Sequence, residues 1–346
     1  MTTSTATDRR ERSTRRPLPL KTLALVALCT VLVLLAALSV TTGSRQVGWA
    51  DIVAALGGST DGFDRAAVAA RVPRTLLAVL AGAALGVAGA VMQGVTRNPL
   101  ADPGILGVNT GAALAVVVGM ASFGLASATS FAWVAIAGGA VTAVFVYAVG
   151  TLGGGGSTPL KLALAGAATS AALTSFISAV VLSRNDIADN ARSWQIGGLG
   201  GGTQESLQQI LPFLVVGFAL CWLCARGLNM LALGDDLAEG LGERVALTRG
   251  TASLGAVVLC GATTAVTGPI AFVGLVVPHV CRLLVGADHR WLLPFSALGG
   301  GVLLTAADVV GRVVARPVQI DVGIVTALIG APFFIHIVRR QKVRAL

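Results

Sequence analysis

Long apolar stretches that contain no charged residue dominate the chain. A membrane-spanning helix needs about 20 mostly apolar residues, and most of these stretches reach or exceed that length. The pattern therefore predicts a helical protein that crosses a membrane many times. The charge-free windows cover residues 22–44, 75–96, 103–160, 162–183, 206–225, 250–281, 291–307 and 322–338.

Two of these windows are too long for one helix. The window 103–160 is interrupted by a small polar stretch at 122–130. The window 250–281 is interrupted at Gly268-Pro269, because proline lacks the backbone N–H that a continuing helix needs. Its second part is expected to continue to about Gly286. Dividing both windows gives ten predicted transmembrane helices.

Both ends of the chain are rich in Arg and Lys. Cytoplasmic segments of membrane proteins carry an excess of these residues, so both termini are predicted to be cytoplasmic, which requires an even number of spans. We expect residues 1–20 to form a disordered basic tail and residues 21–346 to form a single ten-helix domain. With both termini inside, Arg71, Arg74 and Arg312 fall on the outer side of the membrane. This is contrary to the excess of Arg and Lys in cytoplasmic segments, so these three arginines need another explanation.

The composition agrees with a membrane protein. Of 346 residues, 55% are hydrophobic and 12% are charged, and the mean hydropathy is +0.82, whereas an ordinary soluble domain has about 25% charged residues. The 44 glycines predict close helix packing, since small residues let helix backbones approach in lipid. Basic inner segments explain the net charge of +9, so the predicted partner is the lipid bilayer and not nucleic acid.

The sequence contains none of the common nucleotide-binding, metalloprotease or serine-hydrolase motifs. After the glycine run 153–156, Ser157-Thr158-Pro159 stand in place of the lysine of a phosphate-binding loop, which favours a tight turn. The three histidines show no metal-ligand spacing, and Cys221 and Cys224 form a CxxC without a basic neighbour to lower a thiol pKa. We predict that the chain is not an enzyme and holds neither a cofactor nor a metal ion.

Acidic residues inside the membrane could bind the ion of a gradient-driven carrier. The candidates are Asp308, near the end of the ninth predicted span, and Asp321, at the start of the tenth. Asp308 stands four residues before Arg312, and side chains at this spacing meet on one helix face. This spacing favours a structural ion pair, with a gradient-driven carrier as the alternative.

One predicted cytoplasmic loop carries a short amphipathic pattern. Asp235 and Asp236 suit a helix N-terminus, whose partial positive charge they complement. Leu237, Ala238 and Leu241 share one apolar face, and the two glycines around Leu241 permit a turn into a second short helix. Such a helix pair is either a solvated connector or a docking site for a soluble partner, and the pattern alone leaves both open.

Several motifs together resemble one family of membrane proteins. The FecCD-type permeases of ABC importers for ferric siderophores, haem and cobalamin are similar to this chain over residues 20–340 in unbroken order. The segments that carry the resemblance are RVPRTL (71–76), GAVMQG (89–94), RNPLADPGILG (97–107), GPIAFVGLVVPH (268–279), GADHR (286–290) and GIVTALIGAPFF (323–334).

The resemblance implies a fold, a function and partners. It implies the type II ABC importer permease fold, with ten helices, in the cytoplasmic membrane of a bacterium. A second permease subunit, two cytoplasmic ATPase subunits and an extracytoplasmic binding protein would complete the importer. Ferric siderophores are the expected substrate, and cobalamin or haem is the alternative. A membrane scaffold or receptor that transports nothing stays a further possibility.

The resemblance also implies roles for particular residues. In the family, a cytoplasmic loop matching residues 228–247 docks the ATPase, outer arginines meet acidic residues of the binding protein, and the fifth span lines the pathway. The implied residues are Asp235, Asp236, Leu237, Ala238, Glu239, Leu241 and Gly242 for ATPase coupling, Arg71, Arg74 and Arg312 for docking, and Asn98, Leu100, Ser170, Thr174 and Ser178 for the pathway and its inner gate.

Local explanations compete with some of these roles. Asn98 also suits a turn, because Asn-Pro favours turn formation, and the hydroxyl stripe on the fifth span could pack against another helix. The Asp308 pair is a competing explanation for Arg312. The chain departs from the family at Gln319-Ile320-Asp321, where the family commonly has Glu-Leu-Pro, so the role of that outer corner is open.

Overall fold

The computed structural model describes residues 18–43, 47–104, 106–152 and 159–344. Over these residues the regular structure is α-helical, with short connections. The fourteen helices are α1 (Leu18–Thr41), α2 (Trp49–Leu56), α3 (Phe63–Thr96), α4 (Val108–Phe123), α5 (Ala128–Thr151), α6 (Pro159–Ser183), α7 (Asn185–Ile196), α8 (Gln204–Leu223), α9 (Ala225–Leu231), α10 (Asp235–Gly240), α11 (Val245–Thr267), α12 (Val273–Val285), α13 (His289–Val314) and α14 (Val322–Arg344).

Within the described ranges, seven helices are long and apolar enough to cross a membrane: α1, α3, α5, α6, α8, α11 and α13. Three shorter apolar helices accompany them, namely α4, α12 and the part of α14 up to Ile337. An all-helical membrane protein, as predicted, is therefore confirmed.

The two long apolar windows break where the sequence predicts. The first divides into α4 and α5, joined by a short connection in which Ser127 caps α5 by accepting a hydrogen bond from the Ser130 backbone N–H. The second divides into α11 and α12 around Gly268, whose φ of +68° suits glycine. The glycine run 153–156 and residues 1–17 lie outside the described residues. Among the described residues, helix α1 runs from Leu18 to Thr41, and the division into a tail of residues 1–20 and a domain of residues 21–346 stays a prediction.

Helix α3 begins well before the predicted window. The prediction of a span starting at Thr75 is wrong as a helix boundary, because the helix starts at Phe63 and continues through Pro73 for 34 residues. At 1.5 Å per residue it is about 50 Å long, well beyond the roughly 30 Å of a hydrocarbon core. Arg71 and Arg74 therefore lie on a helix and not in a loop.

Helices α3 and α13 form the centre of the bundle, and glycine lets them touch backbone to backbone. A Cβ atom placed on Gly82 would lie 2.2 Å from the Gly300 carbonyl oxygen, and one on Gly86 would lie 2.2 Å from the Ser296 carbonyl oxygen. Neither distance leaves room for a methyl group. The predicted use of glycine in close helix packing is confirmed at this contact.

Candidate functional site

A buried cluster of charges joins α3 to the last turns of α13. Arg74 donates from Nε and Nη2 to Asp308 Oδ1 at 3.0 and 2.7 Å, and Arg312 Nη2 lies 2.8 Å from Asp308 Oδ2. Asp308 is 1% exposed. The predicted Asp308–Arg312 pair is confirmed, whereas the second arginine was missed because Arg74 lies 234 residues away in sequence.

The other two arginines hold the end of α1. Arg312 Nη1 donates to the carbonyl oxygens of Ser39 and Thr42 at 2.9 and 3.0 Å, and Arg71 Nη1 donates to those of Val40 and Thr41 at 3.3 and 3.1 Å. The last carbonyls of a helix lack partners within the helix. The guanidinium groups of Arg71 on α3 and Arg312 on α13 supply the missing hydrogen-bond donors at the end of α1.

The structure therefore brings the three predicted docking arginines together, but in different settings. Arg71 and Arg312 are buried, with 7% and 2% exposure, and they face inwards. The Arg74 side chain is 17% exposed and also donates to Gln319 Oε1 at 2.7 Å. Gln319 belongs to the corner where the chain departs from the resembled family, so that corner contacts the arginine cluster directly. We call Arg71, Arg74, Arg312 and Asp308 the arginine cluster.

The predicted amphipathic loop forms the short helix α10 with an exposed apolar side. Asp235 and Asp236 occupy its first turn, as the pattern predicts. Ala238 is fully buried, whereas Leu237 and Leu241 are 62% and 61% exposed. The α10 segment, residues 234–244, thus rests on the bundle through a small residue and presents two leucines outwards.

The prediction of a second short helix after this segment is wrong. After Glu239 and the turn at Gly242, which has a φ of +86°, Val245 begins the 23-residue helix α11. Apolar residues recur from Val245 onwards with no proline before Pro269, so the chain continues as one long helix.

Two arginines from distant parts of the chain bind the first residue of α10. Arg97, which follows the last residue of α3, forms an ion pair with Asp235. Arg249 of α11 donates to Asp235 Oδ1 and Oδ2 at 2.9 and 3.2 Å. Spacing along the chain does not predict this triad, because Arg97 lies 138 residues before Asp235, although Arg97 belongs to the segment RNPLADPGILG and Asp235 to the predicted coupling residues.

An asparagine on α9 caps α13 at the same end of the bundle. Asn229 Oδ1 accepts from the His289 backbone N–H at 2.8 Å and contacts His289 Nδ1 at 2.9 Å, and Asn229 Nδ2 donates to Asp288 Oδ1 at 2.6 Å. Partial burial raises the pKa of Asp288, but hydrogen bonds from the Arg290 N–H and from Asn229 outweigh it, so the pKa lies below its ordinary value. This contact fixes α9 to the start of α13.

The predicted gate residues form a tight turn directly after α3. Asn98 Oδ1 accepts from the Leu100 backbone N–H at 3.0 Å, and the Ala101 N–H donates to the Asn98 carbonyl at 3.0 Å. Both Asn98 and Leu100 are half-buried. The turn-forming explanation of Asn98 is confirmed, and its role in a gate stays a prediction.

The hydroxyl stripe on α6 lies largely on an open face of the chain. Ser170 is half-buried, and Thr174 and Ser178 are exposed. The Thr174 hydroxyl donates to the Ser170 carbonyl at 2.8 Å, and the Ser178 hydroxyl donates to the Thr174 carbonyl at 3.0 Å. Their hydrogens are therefore used within the helix, and their lone pairs stay available to water or to another molecule.

The CxxC cysteines behave as ordinary apolar residues. Cys221 and Cys224 are free thiols, both buried, which confirms the interpretation as small packed residues. Within the described ranges no group of three or more His, Cys, Asp or Glu side chains could hold a metal ion.

A solved structure has the same architecture. An inward-facing transporter assigned to the metal-chelate ABC type superimposes with a TM-score of 0.77, at 28% sequence identity, over 92% of this chain and 99% of the other. Together with the apolar helices, this likeness defines the class: the chain is a multi-pass membrane permease of the ABC transporter kind.

The family follows from two sequence comparisons. The model of the FecCD transport family matches residues 31–340, and the ferric enterobactin transport system permease protein FepD of Escherichia coli K12 is 45% identical over 93% of this chain and 96% of its own length. The cobalamin import system permease protein BtuC of Halobacterium salinarum is 42% identical over 80% of this chain and 74% of its own. The chain belongs to the FecCD transport family, and it is a transport protein and not an enzyme.

Proposed function

We propose that this permease carries ferric-siderophore complexes into the cytoplasm, driven by ATP hydrolysis in partner subunits. The α10 segment carries the proposal, since Leu237 and Leu241 are exposed on a helix anchored by the buried Ala238. Exposed apolar side chains on an anchored helix suit a groove in a soluble protein. The identity to a ferric enterobactin permease favours a siderophore, and the cobalamin permease among the relatives keeps cobalamin as the second candidate.

We propose ten spans with both termini in the cytoplasm. The seven long apolar helices supply seven spans, and α4, α12 and α14 supply three more. Helix α12 has 13 residues and reaches only about 20 Å at 1.5 Å per residue. Irregular backbone at membrane depth is tolerated when protein surrounds it, and the segment before α12 is partly enclosed, since Gly268 and Ile270 are buried whereas Ala271 is exposed.

The importer would contain two permease subunits, two ATPase subunits and one binding protein. The ATPase would sit on Asp235, Asp236, Leu237, Glu239, Leu241 and Gly242. Substrate would pass along Ser170, Thr174 and Ser178, of which Thr174 and Ser178 are exposed, and the turn at Asn98 and Leu100 would narrow the inner end.

Docking of the binding protein would centre on Arg74. Of the three arginines in the cluster, Arg74 keeps part of its side chain exposed, and its planar guanidinium can hold a carboxylate with two parallel hydrogen bonds. Arg71 and Arg312 would hold the end of α1 in place, and Arg312 would also fix Asp308, the carboxylate that positions Arg74.

Reconstitution in liposomes tests the proposal. Permease, ATPase and binding protein together should accumulate an iron-55 siderophore only when ATP is inside, and excess cobalamin should not compete. Leu237→Asp should abolish copurification of the ATPase, whereas the control Leu152→Asp, at a leucine 70% exposed just after α5, should not. Uptake by the permease alone, driven by an ion gradient and lost on replacing Asp308, would establish the carrier alternative instead.

A further inference from the structure

The ion pair between Arg97 and Asp235 joins the α10 segment to the end of α3. The Asp235 carboxylate is shared between Arg97 and Arg249, so one acidic group of α10 is bound both by α11 and by the residue that follows α3. The Arg97 side chain is 38% exposed and that of Asp235 is 41% exposed. An ion pair this open to water adds little to stability, because solvent screens both charges.

The backbone of Arg97 argues that this side chain is needed for another reason. Arg97 has a φ of +50° and a ψ of +32°, the left-handed conformation that glycine adopts freely and that costs other residues free energy. The position immediately follows a helix, where glycine is the usual residue. Stability alone would therefore favour glycine at residue 97, and a non-glycine residue in a strained conformation points to function.

Arg97 is also the first residue of the turn that contains Asn98 and Leu100. The Arg97 N–H donates to the Gly94 carbonyl at 3.3 Å, and the Asn98 N–H donates to the Gln93 carbonyl at 3.2 Å. The Asn98 side chain then closes the turn on Leu100. Any force on the Arg97 side chain is therefore applied to this turn and to the last turn of α3.

The last turn of α3 is held on its other side by α12. Gln93 Oε1 accepts from Arg282 Nη2 at 2.7 Å, and Gln93 Nε2 donates to the Gly274 carbonyl at 3.3 Å. The turn at residues 97–101 consequently lies between two attachments, Asp235 on α10 and the Gln93 contacts on α12. A displacement of α10 changes the first attachment and leaves the second in place.

We propose that Arg97 is a positioning residue that transmits movement of the α10 segment to the turn at residues 97–101 through Asp235. This inference rests on the proposed function, in which α10 docks the ATPase and the turn narrows the pathway. When the ATPase shifts α10, the Asp235 carboxylate pulls or releases the Arg97 guanidinium, and the turn bearing Leu100 follows.

Arg97→Gly separates this role from a structural one. Glycine removes the guanidinium and relieves the left-handed backbone, so the unfolding temperature should stay equal or rise, and the ATPase should still copurify. In proteoliposomes, substrate imported per ATP hydrolysed should fall about tenfold, a factor within the usual range of coupling between sites. The control Arg226→Gln removes an exposed arginine of α9 and should leave that ratio unchanged.

A double-mutant cycle identifies the partner. Asp235→Asn should also lower import per ATP, and adding Arg97→Gly in that background should lower it no further, because the interaction is already lost. The inference is overturned if Arg97→Gly imports as much substrate per ATP hydrolysed as the wild type. It is also overturned if the loss in the double variant equals the product of the losses in the two single variants. Failure of the proposed function looks different, since the wild-type complex would then show no ATP-driven uptake or would not bind the ATPase.

Discussion

Arg74 of α3 and Asp308 of α13 are joined by two hydrogen bonds to a single carboxylate oxygen, at 3.0 and 2.7 Å. Arg312 approaches the other oxygen at 2.8 Å. One buried acid therefore faces two guanidinium groups, and both of its oxygens are engaged. A carboxylate held in this way is suited to fixing two helices, and poorly suited to releasing and taking up a transported ion.

Asp308→Ala is expected to destabilise the bundle strongly. Removing one partner of a buried ion pair leaves an uncompensated charge and costs about 3–5 kcal/mol, and here Arg312 is left buried with 2% exposure. Thermal unfolding in detergent measures the effect. Asp51→Ala is the control, since its pair with Arg65 is 36% exposed on both sides and should contribute at most about 1 kcal/mol. Equal losses for both variants would contradict the structural role of Asp308.

Gln319→Glu should tighten the hold on Arg74. Gln319 Oε1 already accepts from Arg74 Nη1 at 2.7 Å, and a glutamate at this position would add a negative charge that attracts the guanidinium. If Arg74 contacts the binding protein, the added carboxylate competes for it, and the dissociation constant should rise several-fold. Binding to the detergent-solubilised permease, measured by biolayer interferometry, checks this.

The opposite change gives the matched comparison for Gln319. Gln319→Ala removes the competing acceptor, so docking should be unchanged or tighter. If docking weakens equally in both variants, Gln319 itself touches the binding protein, and the assignment of Arg74 as the contact is incorrect.

Gly86→Ala should push α3 away from α13. Its Cβ would lie 2.2 Å from the Ser296 carbonyl oxygen, and overpacking of this kind costs about 1–3 kcal/mol or more. Gly250→Ala is the control, because a Cβ there meets open space and alanine favours a helix over glycine by about 1 kcal/mol. We expect a lower unfolding temperature for the first variant and an equal or higher one for the second.

The sequence predicted the helices best where apolar residues run without charge. The divisions between α4 and α5 and between α11 and α12 follow from local breakers such as Pro269, which act regardless of distant contacts. The start of α3 could not be predicted in this way. The charges of Arg71 and Arg74 favour a loop in the sequence, whereas in the structure carbonyls of α1 accept hydrogen bonds from Arg71 and Asp308 of α13 pairs with Arg74.

In the candidate site too, contacts between residues near in sequence could be predicted, and contacts between distant residues could not. The Asp308–Arg312 pair and the acidic first turn of α10 were predicted because their residues are near in sequence. The contacts of Arg74 with Asp308, of Arg97 with Asp235 and of Asn229 with His289 join residues that are distant in sequence. A single sequence carries no signal for such pairs, except that Arg97 and His289 lie inside motifs shared with the family.

The cap on α13 predicts a pH dependence of stability. The pKa of Asp288 is lowered in the folded protein from its ordinary value of 3.8, so its contribution to stability is fully present above that value and is lost as the pH falls through the lower folded pKa. Asp288→Asn should therefore be less stable than wild type at pH 6, and the difference should shrink towards pH 3.

Asn229 supplies a second test of the same cap. Asn229→Ala removes the donor to Asp288 Oδ1, so part of the pH-dependent difference should disappear in this variant as well, because the carboxylate loses a bond that favours its charged form. Denaturant unfolding in micelles, repeated from pH 3 to pH 6, measures both variants. A wild-type advantage that grows as the pH falls would contradict the sign, and with it the account of Asp288 as an ionised cap fixed by α9.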